Sequence, residues 1–165
     1  MDSSLFATQL ALHLNAQPPT DLSNHIENFA CVSLILRGSA QALQLGFIER
    51  AQDPADRWSG HLAFPGGKNE KTDRSPLETA LRETQEEVGV ALERWQLVGQ
   101  LNDIQARRGP YLLPFFIRPF VFYIGQTSPR INLDTTEVSD FFWVTLTDLT
   151  NPAKIIDYKH PEGHI

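Results

Sequence analysis

The chain has 165 residues, 41% hydrophobic and 21% charged, with a formal net charge of -6. A chain of this size can enclose one core, which predicts a single compact domain, and its ordinary composition without repeats excludes a fibrous or disordered protein. The acidic balance excludes a protein that binds nucleic acid by neutralising its backbone, and a small anionic ligand would need bound cations to supply positive charge.

In chain order, residues 1–25 read as a helical appendage. Leu5, Leu10, Leu12 and Leu14 have loosely helical spacing, and Gln17-Pro18-Pro19 stops the helix. Asp2 stands where a secretory signal would carry basic residues, and no apolar run is long enough to cross a membrane. Cys31 is the single cysteine, among Phe29, Ala30 and Val32, which predicts a buried thiol and a reducing, cytoplasmic setting.

Ala30 to Leu36 is β-rich and ends at Gly38, and Leu43 to Ile48 follows a short turn, so the two read as a hairpin. Asp53 to Gly60 has turn chemistry throughout and leads through Leu62-Ala63-Phe64 to Pro65-Gly66-Gly67. Further strands are expected at Trp95–Leu101, Leu112–Tyr123 and Phe141–Val144. Pro114 and Pro119 confine the middle one to an edge, a bulge or two shorter pieces. A short last helix is expected at Thr145–Leu149.

The informative helix begins at Ser75-Pro76-Leu77-Glu78, where Ser caps free amides, Pro suits the first helical position and Glu completes a capping box. Leu77, Ala80, Leu81, Thr84 and Val88 form a stripe that packs on a sheet, and Gly89 terminates the helix. Glu83, Glu86 and Glu87 lie three and four residues apart and project from one side, away from the centre of that stripe. Three carboxylates together repel, and a hard, oxygen-preferring divalent cation would reverse that cost. Immediately upstream, Gly66-Gly67 lets backbone groups approach a metal or phosphate closely.

This loop and helix resemble a Nudix box, whose usual form is Gly, five residues, Glu, seven residues, then Arg-Glu-apolar-x-Glu-Glu-x-Gly-apolar. Gly67 opens it, and Arg82-Glu83-Thr84-Gln85-Glu86-Glu87-Val88-Gly89-Val90 matches the second half, with Thr84 in the apolar slot. Asp73 stands at the first Glu position, eight residues rather than seven before Arg82, a shift that predicts a weakened role for Asp73. The same expansion with Asp is found in the coenzyme A pyrophosphatase-like branch, whose upstream signature is similar to Arg50-Ala51 and Gly60-His61-Leu62-Ala63-Phe64-Pro65-Gly66-Gly67 here.

The resemblance implies an α/β fold, an α/β/α sandwich with a mixed β-sheet, formed by residues 26–165 as a single Nudix hydrolase domain. It implies that Glu83, Glu86 and Glu87, with the Gly67 carbonyl, hold Mg²⁺, for which Mn²⁺ can substitute. Arg82 orients them, and one glutamate alternatively serves as base. The implied reaction is hydrolysis of the diphosphate bond in a nucleoside diphosphate linked to another moiety, coenzyme A or a derivative among them. Nucleotide sugars, ADP-ribose, dinucleotides and nucleoside triphosphates remain alternative substrates, and a noncatalytic nucleotide sensor is the alternative of another class.

Arg50, Arg57, His61, Arg107 and Arg108 are candidate substrate contacts, with Arg107 to Pro110 read as a loop. Each is also explained by an ordinary surface role. Trp58 could stack on a base or simply pack, and Glu137 could supply an acid from a distant loop or simply be solvated. His160 and His164, with Asp157 and Glu162, match no zinc spacing and read as a polar tail. The expected partner is a small nucleotide-derived substrate, with no nucleic acid and no membrane, and a homodimer is left open.

Overall fold

A computed structural model describes residues 3–54 and 58–156. The elements are α1 (Ser3–Leu14), β1 (Phe29–Arg37), β2 (Gln44–Arg50), β3 (Leu62–Ala63), β4 (Gly66–Lys68), α2 (Pro76–Val88), β5 (Leu97–Gln100), β6 (Ile104–Arg108), β7 (Tyr111–Tyr123), β8 (Val138–Thr145) and α3 (Leu146–Leu149). All eight strands join one mixed sheet, in which β1 and β7 run parallel and the other pairings are antiparallel.

Side chains alternate along β1 and β7, and this period of two builds two cores. Cys31, Ile35, Phe120 and Phe122 face α2, together with Ala80 and Val88 of that helix. Leu36, Val121 and Tyr123 face the other way, where Phe6, Ala7, Leu10, Ala11 and Leu14 of α1 cover them. The sheet is therefore flanked by a helix on each side. Cys31 is fully buried and desolvation pushes its thiol up to about 12, as its apolar neighbours predict.

The packing face of α1 differs from the leucine spacing in the sequence. Leu5 and Leu12 point outward, and the contact is made by Phe6, Ala7, Leu10, Ala11 and Leu14. Small alanines permit close approach, and Gly99 admits Leu14, whose Cβ would lie 2.8 Å from a β-carbon at that glycine.

The expected hairpin pairs only at Leu36 with Leu45 and Arg37 with Gln44. Beyond that point β1 turns to β4 and the same edge of β2 turns to β3, while β8 follows the other edge of β2 along its length, so the segment carrying Gly66 and Gly67 pairs with β1 where β2 has left it. β7 is one continuous central strand despite its prolines. The Pro119 carbonyl accepts from Leu101 N–H on the side where β5 gives way to β6, so the absent proline N–H falls at that changeover. Pro114 precedes Phe116, where pairing with β1 begins, so no ladder bond to β1 is lost there. No helix of the described residues is long and apolar enough to cross a membrane.

Candidate active site

Helix α2 starts where the sequence places it. Ser75 is the N-cap and accepts the Glu78 N–H, Pro76 opens the helix, and Gly89 closes it at φ 69° with its N–H on the Gln85 carbonyl. The capping box differs in one bond, because Glu78 Oε2 accepts the N–H of Arg74, one residue before the cap.

Thr84 is explained by its contacts. Its hydroxyl lies 2.7 Å from Ser33 Oγ on β1 and 2.7 Å from the Ala80 carbonyl, so the box's apolar slot holds a satisfied polar pair instead. This bond ties the helix to the strand that also carries β4.

The three glutamates do not share one solvated face. Glu87 is 3% exposed, Glu83 is half-buried and Glu86 is exposed, so the row descends from solvent into the junction of α2 and β4. The reason is the close contact with the glycine strand. Glu87 Oε2 accepts the Gly66 N–H at 2.8 Å, and Gly67 lies directly against the Glu83 carboxylate. Burial, opposed by the Gly66 N–H and reinforced by Glu83 and Glu137, raises Glu87 to about 7. Burial likewise raises Glu83, against the pull of Arg82 and with the repulsion of Glu86 and Glu137.

Asp73 does not have the weakened role expected from its shifted spacing. Arg82 Nε donates to Asp73 Oδ1 at 3.0 Å and Nη2 donates to Oδ2 at 2.9 Å, a two-pronged pair. Asp73 also accepts the Glu70 N–H and the Thr79 hydroxyl, and these bonds, led by Arg82, hold its carboxyl well below the usual range. The residue precedes the helix, so its loop absorbs the extra position. The remaining nitrogen, Arg82 Nη1, donates to Glu83 Oε1 at 3.0 Å and Glu86 Oε2 at 2.8 Å.

Glu137 and Arg50 reach the same electrostatic neighbourhood. Glu137 raises both buried glutamates, Arg50 lowers Glu87, and the Ala51 N–H donates to the Glu137 carbonyl. His61 is tied to Arg50 through its carbonyl, and its ring stands edge-on to Trp58 at 5.5 Å. Arg107 and Arg108 end strand β6 rather than forming a loop, next to the turn at Gly109 and Pro110, and among the described residues no ion pair links them to the carboxylates. Arg57 lies outside the described residues, as do Asp157, His160, Glu162 and His164.

The oxygens of Glu83, Glu86, Glu87 and the Gly67 carbonyl are donors of the kind Mg²⁺ and Mn²⁺ take. The burial of negative charge around Glu87 and Glu83 fits such an ion, since a cation would relieve the repulsion that raises both carboxyls. Among the described residues no three acidic or His side chains are gathered in metal-holding geometry. Arg82 draws on oxygens of Glu83 and Glu86, for which a cation would compete.

Comparison with known proteins agrees with this arrangement. The NUDIX domain model matches residues 28–162. The Nudix hydrolase NudL of Pectobacterium atrosepticum is 39% identical over 90 residues, covering 54% of this chain and 44% of its own length. The mouse mitochondrial coenzyme A diphosphatase NUDT8 is 34% identical over 93 residues, covering 56% of this chain and 42% of its own length. The chain thus spans less than half the length of either relative. Among solved structures, the NUDIX domain of Shewanella oneidensis NrtR, crystallised with ADP-ribose, superposes with a TM-score of 0.56 at 17% identity, covering 82% of this chain and 79% of that one. A domain match across most of the chain, laid over a helix that carries every glutamate of the box's second half, makes this protein a member of the Nudix family.

Proposed function

We propose that this protein is a pyrophosphohydrolase that cleaves the diphosphate bond of a nucleoside diphosphate joined to a second moiety, with coenzyme A or a derivative as the leading substrate. The observation that carries the reading is the packing of Glu83 and Glu87 against Gly67 and Gly66, which concentrates acidic oxygens beside the backbone of β4. Coenzyme A is favoured over other nucleotides by the Gly60 to Gly67 segment and by similarity to the coenzyme A diphosphatase.

In this reading Glu83, Glu86, Glu87 and the Gly67 carbonyl hold Mg²⁺, or Mn²⁺ in its place. The bound ion would screen the diphosphate oxygens and acidify an attacking water. One of these glutamates serves instead as the base that takes a proton from the attacking water. Arg82, fixed by Asp73, sets the orientation of Glu83 and Glu86. Arg50 meets a substrate phosphate at the edge of the acidic cluster.

The test is incubation with Mg²⁺ and separate samples of coenzyme A, nucleotide sugars, ADP-ribose, dinucleotides and nucleoside triphosphates, with products identified by mass. Release of 3′,5′-ADP and 4′-phosphopantetheine supports the proposal in full. Cleavage of another substrate in preference retains the hydrolase and overturns the coenzyme A assignment. Binding without turnover overturns the enzyme reading in favour of a sensor.

A further inference from the structure

The two parallel strands, β1 and β7, end side by side, and the Gly38 N–H donates to the Gly125 carbonyl where they leave the sheet. The carboxyl ends of parallel strands are where open α/β sheets commonly receive ligands, because loops diverge there and leave a crevice. Here the crevice is a cavity of about 260 Å³ lined by Arg37, Gly38, Ser39, Ala42, Gln44, Gln126 and Ser128. It is remote from the carboxylates. Gly67 stands opposite Cys31, and Arg37 lies six residues farther along β1, roughly 20 Å at the rise of a strand.

Arg37 gives this cavity its chemistry. Its guanidinium lies over the Trp143 ring at 4.1 Å, Nε donates to Gln44 Oε1 at 2.8 Å, and Nη1 donates to Ser128 Oγ at 3.2 Å. These contacts fix the plane of the fork. Among the described residues no carboxylate lies within ion-pair distance of Arg37. Arg82, Arg94 and Arg118 all have acidic partners. The other side chains lining the cavity are neutral, with hydroxyls and amides that can donate to an anion.

We propose that the cavity at the ends of β1 and β7 is a second ligand site, which binds a phosphate group through the oriented guanidinium of Arg37. A planar fork held by stacking loses little freedom on engaging an oxyanion, and the cation lacks a competing carboxylate. The source of the phosphate is either the free ion or a nucleoside monophosphate. The site does not depend on the hydrolase reading.

Trp143, stacked on Arg37, provides the readout. Inorganic phosphate and AMP are titrated separately against the whole chain without divalent metal, following tryptophan fluorescence and, in parallel, heat of binding. The expected result is a saturable response in the wild type and in Glu83→Gln. Arg37→Gln should weaken affinity by about tenfold or more, as loss of a charge-assisted fork implies. Gln126→Glu tests the same point without disturbing the stacked pair, since it places negative charge at an exposed part of the rim and should weaken binding too. Tighter binding of AMP assigns the site to a nucleotide phosphate, and equal binding assigns it to the free ion. The proposal is overturned by absence of saturable binding, by affinity unchanged in folded Arg37→Gln and Gln126→Glu, or by binding lost in Glu83→Gln while retained in Arg37→Gln.

Discussion

A β-carbon at Gly67 would lie 2.5 Å from the Cδ of Glu83, so this glycine is the space into which the Glu83 carboxylate fits. Gly67→Ala therefore displaces the end of a flexible side chain, not the backbone. Stability should change by less than about 1 kcal/mol while turnover falls by about tenfold or more, the cost of misplacing a carboxylate of the proposed metal site. Gly66→Ala should behave differently, because Gly66 has φ 151° and its β-carbon would meet the Cys31 carbonyl oxygen at 2.2 Å. Thermal melts and turnover of the two variants check this: Gly66→Ala should lose the fold, Gly67→Ala only the activity.

Glu86→Gln and Glu87→Gln should each reduce Mg²⁺-dependent turnover by about 10–100-fold or more while the protein remains folded. Glu86 is exposed, so its effect on folding should be negligible. A titration of rate against Mg²⁺ should also show a higher metal requirement in Glu86→Gln. Unchanged turnover would remove these residues from the proposed metal site.

Glu87 makes a stability prediction with a definite sign. Its folded value, about 7, lies above the ordinary carboxylate value, so the folded state binds the proton more tightly than the unfolded one. The stability this confers is fully present below about pH 4 and is lost as pH rises through 7. In metal-free buffer, the wild type should therefore lose stability relative to Glu87→Gln between pH 5 and pH 8, by an amount on the order of a few kcal/mol. Chemical denaturation of both proteins across that range measures the difference, and added Mg²⁺ should reduce it at pH 8.

Asp73 acts in the opposite sense. Arg82 holds its carboxyl below the usual range, so the contribution is present above about pH 4 and fades as pH falls through the depressed folded value. Asp73→Asn should lower stability by about 2–3 kcal/mol at neutral pH, because the nearly buried fork loses its charge. The difference from wild type should shrink in strong acid. Turnover should also fall, as Arg82 is freed to move with Glu83 and Glu86.

Several parts of this architecture were legible in the chain. Ser75, Pro76 and Gly89 mark the ends of α2 because capping depends on residues only a few positions apart. The β-rich runs at residues 30–36 and 112–123 locate β1 and β7 because strand propensity is local, although the prolines pointed away from the central place that β7 takes. Asp73 was harder to place, since the length of the loop before the helix, not its distance along the helix, sets its reach to Arg82. The α1 face could not be read from its leucines because alanines, which carry little hydrophobic signal, pack closely against the sheet beside Leu10 and Leu14.

The sequence by itself determined the cluster of candidate glutamates, the helix on which they stand and the glycines beside them, since these follow from short spacings along one chain. Only the tertiary structure decided that Glu87 is buried while Glu86 is exposed, that Thr84 bonds to Ser33, and that Arg37 is stacked on Trp143 beside a cavity. The last two relationships join residues 51 and 106 positions apart, and the first separates two adjacent residues of one helix. Burial and charge pairing depend on what the sheet brings against each side chain, and the sheet's register is fixed by the whole core rather than by any one segment.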